Sequence, residues 1–197
     1  MRNQFLTIVG LLVLSLSSRA AVLPLEMRLG GQAYYDPNLD ITWLADADVN
    51  GQHLWADQMS WVGSLSVAGV NGWRLPSADV NGDTAIVNCT IASEVDCLDN
   101  EMGFLYYHEG ISSSSPGPFV NIAGGSELYW SLTDATATAA SVFNFGGGGA
   151  GSAQKLLADY VYAWAVHDGD VAAVPVPAAA WLFGSALVGL AGLKRGR

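Results

Sequence analysis

The charged residues of this 197-residue chain are concentrated in its middle, and both ends are apolar. All eighteen acidic residues lie in the middle, where the only basic residues are Arg28, Arg74 and Lys155. This distribution predicts one acidic, water-soluble domain at residues 21–173, between two apolar segments. The domain's formal charge of −15 repels phosphate backbones and anionic membrane surfaces, so nucleic-acid binding is excluded. The same charge attracts divalent cations.

The first twenty residues follow the order of a secretory signal peptide. A basic start at Arg2 precedes the apolar run 5–14, and small residues at Ser18 and Ala20 fit a signal-peptidase site. The apolar run is too short to favour a first transmembrane helix. We therefore predict that residues 1–20 are a signal peptide and that the chain is exported.

The chain has two cysteines, Cys89 and Cys97, which lie eight positions apart in a loop-like segment. Export through the periplasm favours a disulfide between them. Two free thiols are the alternative. A metal site is disfavoured, because neither cysteine has a second Cys or a His at ligand spacing.

The C-terminal segment, residues 174–197, combines a proline motif, an uncharged apolar span and a basic end. The motif is Val174-Pro175-Val176-Pro177-Ala178, the span runs over 178–193, and the basic end is Lys194-Arg195-Gly196-Arg197. Sixteen residues make about 24 Å of helix, shorter than a ~30 Å hydrocarbon core. The pattern predicts a marginal span of the inner membrane with its basic end in the cytoplasm.

This tail resembles the PEP-CTERM class of sorting signals in its VPLPA-like variant, with Val176 where that variant has Leu. The resemblance implies that the chain is held in the inner membrane and cut near the Pro-x-Pro by an exosortase. It also implies delivery to the cell surface or the extracellular matrix. An ordinary anchor that is never cut is the alternative.

The body shows helical spacing of apolar residues first and strand-like runs later. Helices are predicted over 54–65 and 101–109, and short strands over 128–132, 141–145 and 160–166. Helices followed by strands predict an α+β domain.

The body also resembles the Lcl C-terminal-like domain family, over about residues 32–168. Its most specific part is the segment Trp73-Arg74-Leu75-Pro76-Ser77. Further likeness lies in Tyr35-Asp36-Pro37, Thr42-Trp43-Leu44-Ala45-Asp46-Ala47, Trp61, Glu101-Met102-Gly103-Phe104-Leu105-Tyr106-Tyr107, Tyr129-Trp130-Ser131 and Tyr162-Ala163-Trp164-Ala165-Val166. The resemblance implies a C-type-lectin-like fold, and members of the family include adhesins that bind sulfated polysaccharides. The charge of this body argues against a sulfated ligand.

A candidate calcium site lies in the run Asp46-Ala47-Asp48-Val49-Asn50-Gly51, followed by Asp57. Calcium prefers six to eight oxygen ligands, which carboxylates at alternate positions around a sharp turn can supply. The predicted ligands are Asp46, Asp48, Asn50 and Asp57. Asp57 stands at the twelfth place, where the longer Glu of an EF-hand would bind more tightly.

A second run, Asp79-Val80-Asn81-Gly82-Asp83, repeats this alternation but has Thr90 at its twelfth position. Solvated turns are the alternative for both runs, because Asp, Asn and Gly are the usual turn residues.

Six tryptophans of the body could present stacking faces to sugar rings, but aromatic residues at helix and strand spacings are more often interior. They are Trp43, Trp55, Trp61, Trp73, Trp130 and Trp164. We predict that at least four are interior. We also predict that Arg74 makes an internal ion pair rather than a ligand contact.

The sequence carries no recognisable catalytic motif. It has no Gly-x-Ser-x-Gly elbow, phosphate loop or His-Glu-x-x-His, and its three histidines are scattered. We therefore predict that the protein is not an enzyme.

Together these features predict an exported cell-surface or extracellular-matrix protein that binds carbohydrate or other matrix components. A purely structural matrix protein without a defined ligand is the alternative. The expected partners are signal peptidase and an exosortase during export, the inner membrane through the C-terminal helix, and extracellular polysaccharide. Calcium is the expected cofactor.

Overall fold

The computed structural model describes residues 21–156 and 161–171. The predicted signal peptide, residues 1–20, and the predicted sorting signal, residues 174–197, lie outside the described residues. Within the part that is described, no helix combines the length and apolar composition needed to cross a membrane.

Eight strands and three short helices make up the described regular structure, together with a 3-10 turn at Leu29–Gly31. The strands are β1 Glu26–Arg28, β2 Ala33–Asp36, β3 Ile41–Leu44, β4 Trp73–Arg74, β5 Tyr129–Thr136, β6 Ala139–Asn144, β7 Gly149–Gln154 and β8 Val166–Asp168. The helices are α1 Trp55–Ser64, α2 Glu94–Cys97 and α3 Glu101–Tyr107. The predicted α+β class is confirmed at this coarse level.

The strands form two antiparallel sheets. The first has the order β1-β2-β3-β8-β4, so that the last strand of the domain lies between β3 and β4. Trp43 of β3 pairs with Val166 of β8, which in turn pairs with Arg74 of β4. The second sheet has the order β5-β6-β7 and is built from consecutive strands joined by short turns. The first sheet therefore ties the beginning of the domain to its end.

Residues 26–44 form three strands ahead of α1, although the predicted order placed helices first. All four residues of β3, Ile41 to Leu44, are buried. A strand covered on both faces has no alternation of apolar and polar residues, so its sequence lacks the usual strand pattern.

The two predicted helices are confirmed with shorter bounds. Helix α1 buries Val62 and Gln58, and its first turn carries Asp57. Helix α3 begins after Asn100, whose side chain accepts a hydrogen bond from the Gly103 N–H at 3.0 Å. This N-cap satisfies one of the backbone donors that a helix start leaves unpaired.

The strands predicted over 128–132 and 141–145 are confirmed by β5 and β6. The strand predicted over 160–166 is wrong as one continuous element. Val161 makes an isolated bridge to His53, Tyr162 makes one to Tyr129, and β8 begins only at Val166. The chain here changes partners from one residue to the next, which local sequence does not reveal.

Tryptophans form the centre of the core, as predicted. Trp43, Trp73, Trp130 and Trp164 are each at most 3% exposed. Trp164 contacts the ring of Trp43 edge-on at 5.1 Å, and its indole N–H donates to the Leu44 carbonyl at 2.7 Å. A hydrogen bond of this kind is what a fully buried indole needs.

Candidate functional site

Three carboxylates converge at one edge of the domain. One carboxylate oxygen from each of Asp79, Asp83 and Asp99 lies within 4.8 Å of the other two. Like charges at this separation repel one another, and a bound cation would reverse the sign of that interaction. The group is therefore a candidate cation site.

The first two carboxylates belong to a tight loop that closes around Asp79. Its Oδ1 accepts hydrogen bonds from the N–H groups of Gly82 at 2.9 Å and Asp83 at 3.1 Å, and its Oδ2 accepts one from Thr84 at 3.0 Å. Gly82 adopts a φ of +75°, a conformation that glycine takes at little cost. Each carboxylate oxygen has two lone pairs, so these bonds leave acceptor capacity for a cation.

The third carboxylate belongs to Asp99, which lies sixteen residues after Asp83 in the sequence. The residue is 9% exposed, and its Oδ1 accepts a hydrogen bond from the Asn81 N–H at 2.8 Å. Its Oδ2 is buried and has no hydrogen-bond partner among the described residues. A buried carboxylate oxygen without a partner is costly, and a cation at this place would satisfy it.

The disulfide positions Asp99. Cys89 and Cys97 are bridged, which confirms the prediction, and Cys97 is fully buried at the end of α2. The start of α2 is capped by Ser93, whose Oγ accepts from the Asp96 N–H at 3.1 Å. Asp99 follows two residues after the bridge, so the cross-link restricts where its carboxylate can lie.

Two of the predicted ligands of the first loop, Asp46 and Asn50, have other hydrogen-bond partners, whereas Oδ1 of Asp48 is buried without a partner among the described residues. Both carboxylate oxygens of Asp46 accept from the Asn121 side chain at 3.1 Å. The amide of Asn50 donates to the buried Gln58 Oε1 at 2.8 Å. Burial raises the pKa of Asp48, and its neighbour Asp46 contributes in the same direction.

Asp57 lies exposed in the first turn of α1. Within the described residues, the structure shows no close three-carboxylate group at this first loop. A calcium site formed by Asp46, Asp48, Asn50 and Asp57 stays a prediction.

Sequence reasoning identified the loop of Asp79 and Asp83 but missed Asp99. No ligand spacing links Asp99 to that loop. The structure makes this contact through hydrogen bonds from the N–H groups of Val80 and Asn81 to Asp99, which no local sequence pattern indicates.

No family model matches the chain, and a search of curated proteins found no significant match. The class that the fold itself defines is an acidic α+β domain with a disulfide-braced carboxylate cluster.

Proposed function

We propose that this chain is an exported cell-surface or extracellular-matrix protein that binds a calcium ion and carbohydrate or other matrix components. The observation that carries the calcium part is the buried, unpartnered Oδ2 of Asp99 beside the carboxylates of Asp79 and Asp83. The Lcl-like segments support a C-type-lectin-like domain, and the PEP-CTERM-like tail supports export and sorting.

Calcium suits the acidic group better than zinc does. It is a hard ion with flexible geometry and prefers carboxylate and carbonyl oxygens, whereas zinc favours His and Cys ligands, which this group lacks. Three carboxylates in a largely exposed loop correspond to the weak extracellular class of site, with a Kd of about 10⁻⁴ to 10⁻³ M.

The disulfide supports the extracellular location. Disulfides persist in oxidising compartments and are rare in the cytosol. In the proposed route, signal peptidase removes residues 1–20, the C-terminal helix holds the chain in the inner membrane, and an exosortase cuts near Pro177. Mass spectrometry of the mature protein tests that route, and a mass that corresponds to a C-terminus near Pro177 would support it. An intact tail in the surface fraction would contradict it.

A glycan array tests the binding function. The full chain, kept dispersed in mild detergent, is applied with 5 mM calcium (on the order of ten times the expected Kd) and separately with a chelator. We expect saturable binding to at least one glycan, weakened by the chelator. Absence of binding under both conditions would favour the purely structural matrix protein.

A further inference from the structure

A cleft of about 580 Å³ lies between the disulfide loop, α3 and the glycine-rich end of the second sheet. One wall is formed by residues 86–90, the floor by β6, and the opposite wall by residues 148–152. The volume falls within the range of small-ligand sites in proteins, about 300 to 1,000 Å³.

The floor of the cleft carries a hydroxyl without a partner. Ser141 is 2% exposed, and its Oγ makes no hydrogen bond with any described residue. Ser152 stands directly opposite Ser141 in the β6-β7 register, so the two side chains share one face of the sheet. Asn88 and Thr90 line the cleft from the disulfide loop. Hydroxyl and amide groups therefore converge on it from two sides.

Apolar surface occupies the remainder of the lining, where Ile86 is 40% exposed, and no lining residue is charged. That neutrality is unusual on a domain whose formal charge is −15. The surrounding field repels an anionic ligand, and the cleft offers no carboxylate to pair with a cationic one. A neutral saccharide fits, since its hydroxyl groups match the polar lining and its C–H faces match the apolar part.

We propose that this cleft binds a neutral oligosaccharide, an inference that rests on the proposed carbohydrate-binding function. The cleft and the acidic group share the segment around Val87, whose carbonyl accepts from the Asn100 side chain at 3.3 Å. Asn100 directly follows Asp99. A cation bound to Asp99 therefore also restricts the movement of residues 86–90, which form one wall of the cleft. The two sites are coupled in this way.

The test uses a substitution that places a bulky side chain in the cleft and leaves the buried core unchanged. Ala150 is exposed, and it pairs with Phe143 in the register, so its side chain stands on the cleft face of β7. Ala150→Trp should block the cleft. Ala137→Trp is the matched control, because Ala137 is an exposed alanine at the β5-β6 turn of the same sheet and does not line the cleft.

The probes are maltohexaose, cellohexaose and mannohexaose, with a heparin hexasaccharide as the anionic comparison. They are titrated calorimetrically into the full chain in mild detergent with calcium. We expect at least one neutral probe to bind, at least a tenfold loss in Ala150→Trp, and unchanged affinity in Ala137→Trp. Ser141→Ala, which removes the hydroxyl and keeps the Cβ in place, should also weaken binding.

Equal binding by Ala150→Trp and the wild type would overturn the cleft assignment while leaving the carbohydrate function intact. Binding of heparin alone would overturn the neutral ligand class. Binding of no glycan, here or on the array, would contradict the proposed function itself.

Discussion

The guanidinium of Arg74 donates two hydrogen bonds to the carboxylate of Glu101, from Nη2 to Oε1 at 2.6 Å and from Nη1 to Oε2 at 2.9 Å. Glu101 is 2% exposed, and its Oε2 also accepts from the Ser77 N–H at 2.7 Å. Asp168 accepts from Arg74 Nε at 2.7 Å. The predicted internal ion pair of Arg74 is confirmed, and it ties the Trp-Arg-Leu-Pro-Ser segment to α3 and β8.

Arg74→Met should destabilise the domain by about 3–5 kcal/mol, because it leaves Glu101 buried and unpaired. Burial alone would lower the pKa of Arg74, but its bonds to Glu101 and Asp168 outweigh that effect and raise it. Arg74 therefore stays charged at every ordinary pH. Urea denaturation measures the loss. Arg28→Met is the control: its partners Glu26 and Asp170 are more exposed, and the expected cost is below about 1 kcal/mol. Equal losses in the two variants would contradict the assignment.

Asp99→Asn should change stability in opposite directions with and without calcium. Without the ion, the substitution removes a buried charge near two like charges and should stabilise the domain by about 1 kcal/mol. With millimolar calcium, the wild type should gain melting temperature, and the variant should gain much less because a ligand stabilises only the state that binds it.

The matched control for the calcium site is Asp57→Asn, which changes the predicted first loop in the same chemical way. We expect its calcium-induced rise in melting temperature to equal that of the wild type. If Asp57→Asn loses that rise and Asp99→Asn keeps it, the ion belongs to the first loop.

The carboxyl of Glu109 should make stability fall as the pH rises. Burial, together with the neighbouring carboxyl of Asp36, raises the pKa of Glu109 to about 8. The side-chain oxygens Oε2 of Glu109 and Oδ2 of Asp36 are both buried, and a hydrogen bond between the two carboxyl groups, which requires a proton, also raises the pKa. Folding therefore favours the protonated form. The resulting stability is complete below the unfolded pKa of about 4.3 and is lost as the pH rises through about 8.

Glu109→Gln should flatten this profile, which has a slope of at most about 1.4 kcal/mol per pH unit for a single proton. Above the Glu109 pKa of about 8, where the wild type carries a buried charge, the variant should be the more stable of the two. Urea denaturation at several pH values between about 5 and 9 measures the difference. The exposed Glu127→Gln should keep the wild-type slope. Parallel profiles for the wild type and Glu109→Gln would argue against a protonated Glu109.

Gly103→Ala should destabilise the domain by about 1–3 kcal/mol through overpacking, although alanine is the better helix former. A Cβ at position 103 would lie 2.7 Å from the Cys89 Sγ and 3.1 Å from the side chain of Asn100. Thermal denaturation measures the effect. Gly63→Ala in α1 is the control, because a Cβ there meets nothing within 4 Å. That change should stabilise by about 0.5–1 kcal/mol.

The cost of Gly103→Ala should shrink when both cysteines are replaced by alanine, because the two sites are in contact and their effects are not additive. An unchanged cost in that background would show that the disulfide is not what excludes the side chain.

Local chemistry in the sequence was enough to predict several features. The 3.6-residue spacing around Val62 predicted α1, and the short separation of Cys89 and Cys97 in a chain predicted to be exported predicted their bridge. The scarcity of basic residues predicted that Arg74 would pair internally. Each of these depends on neighbours close along the chain or on overall composition, which a sequence displays directly.

Tertiary structure alone decided the order of the first sheet and the membership of the acidic group. Strand β8 lies between β3 and β4 because of contacts between residues more than ninety positions apart, and the burial of both faces of β3 removes its alternation. Asp99 joins Asp79 and Asp83 through hydrogen bonds that it accepts from the N–H groups of Val80 and Asn81, which are distant along the chain. Periodicity records which face of an element is buried, but it does not record which distant element covers that face.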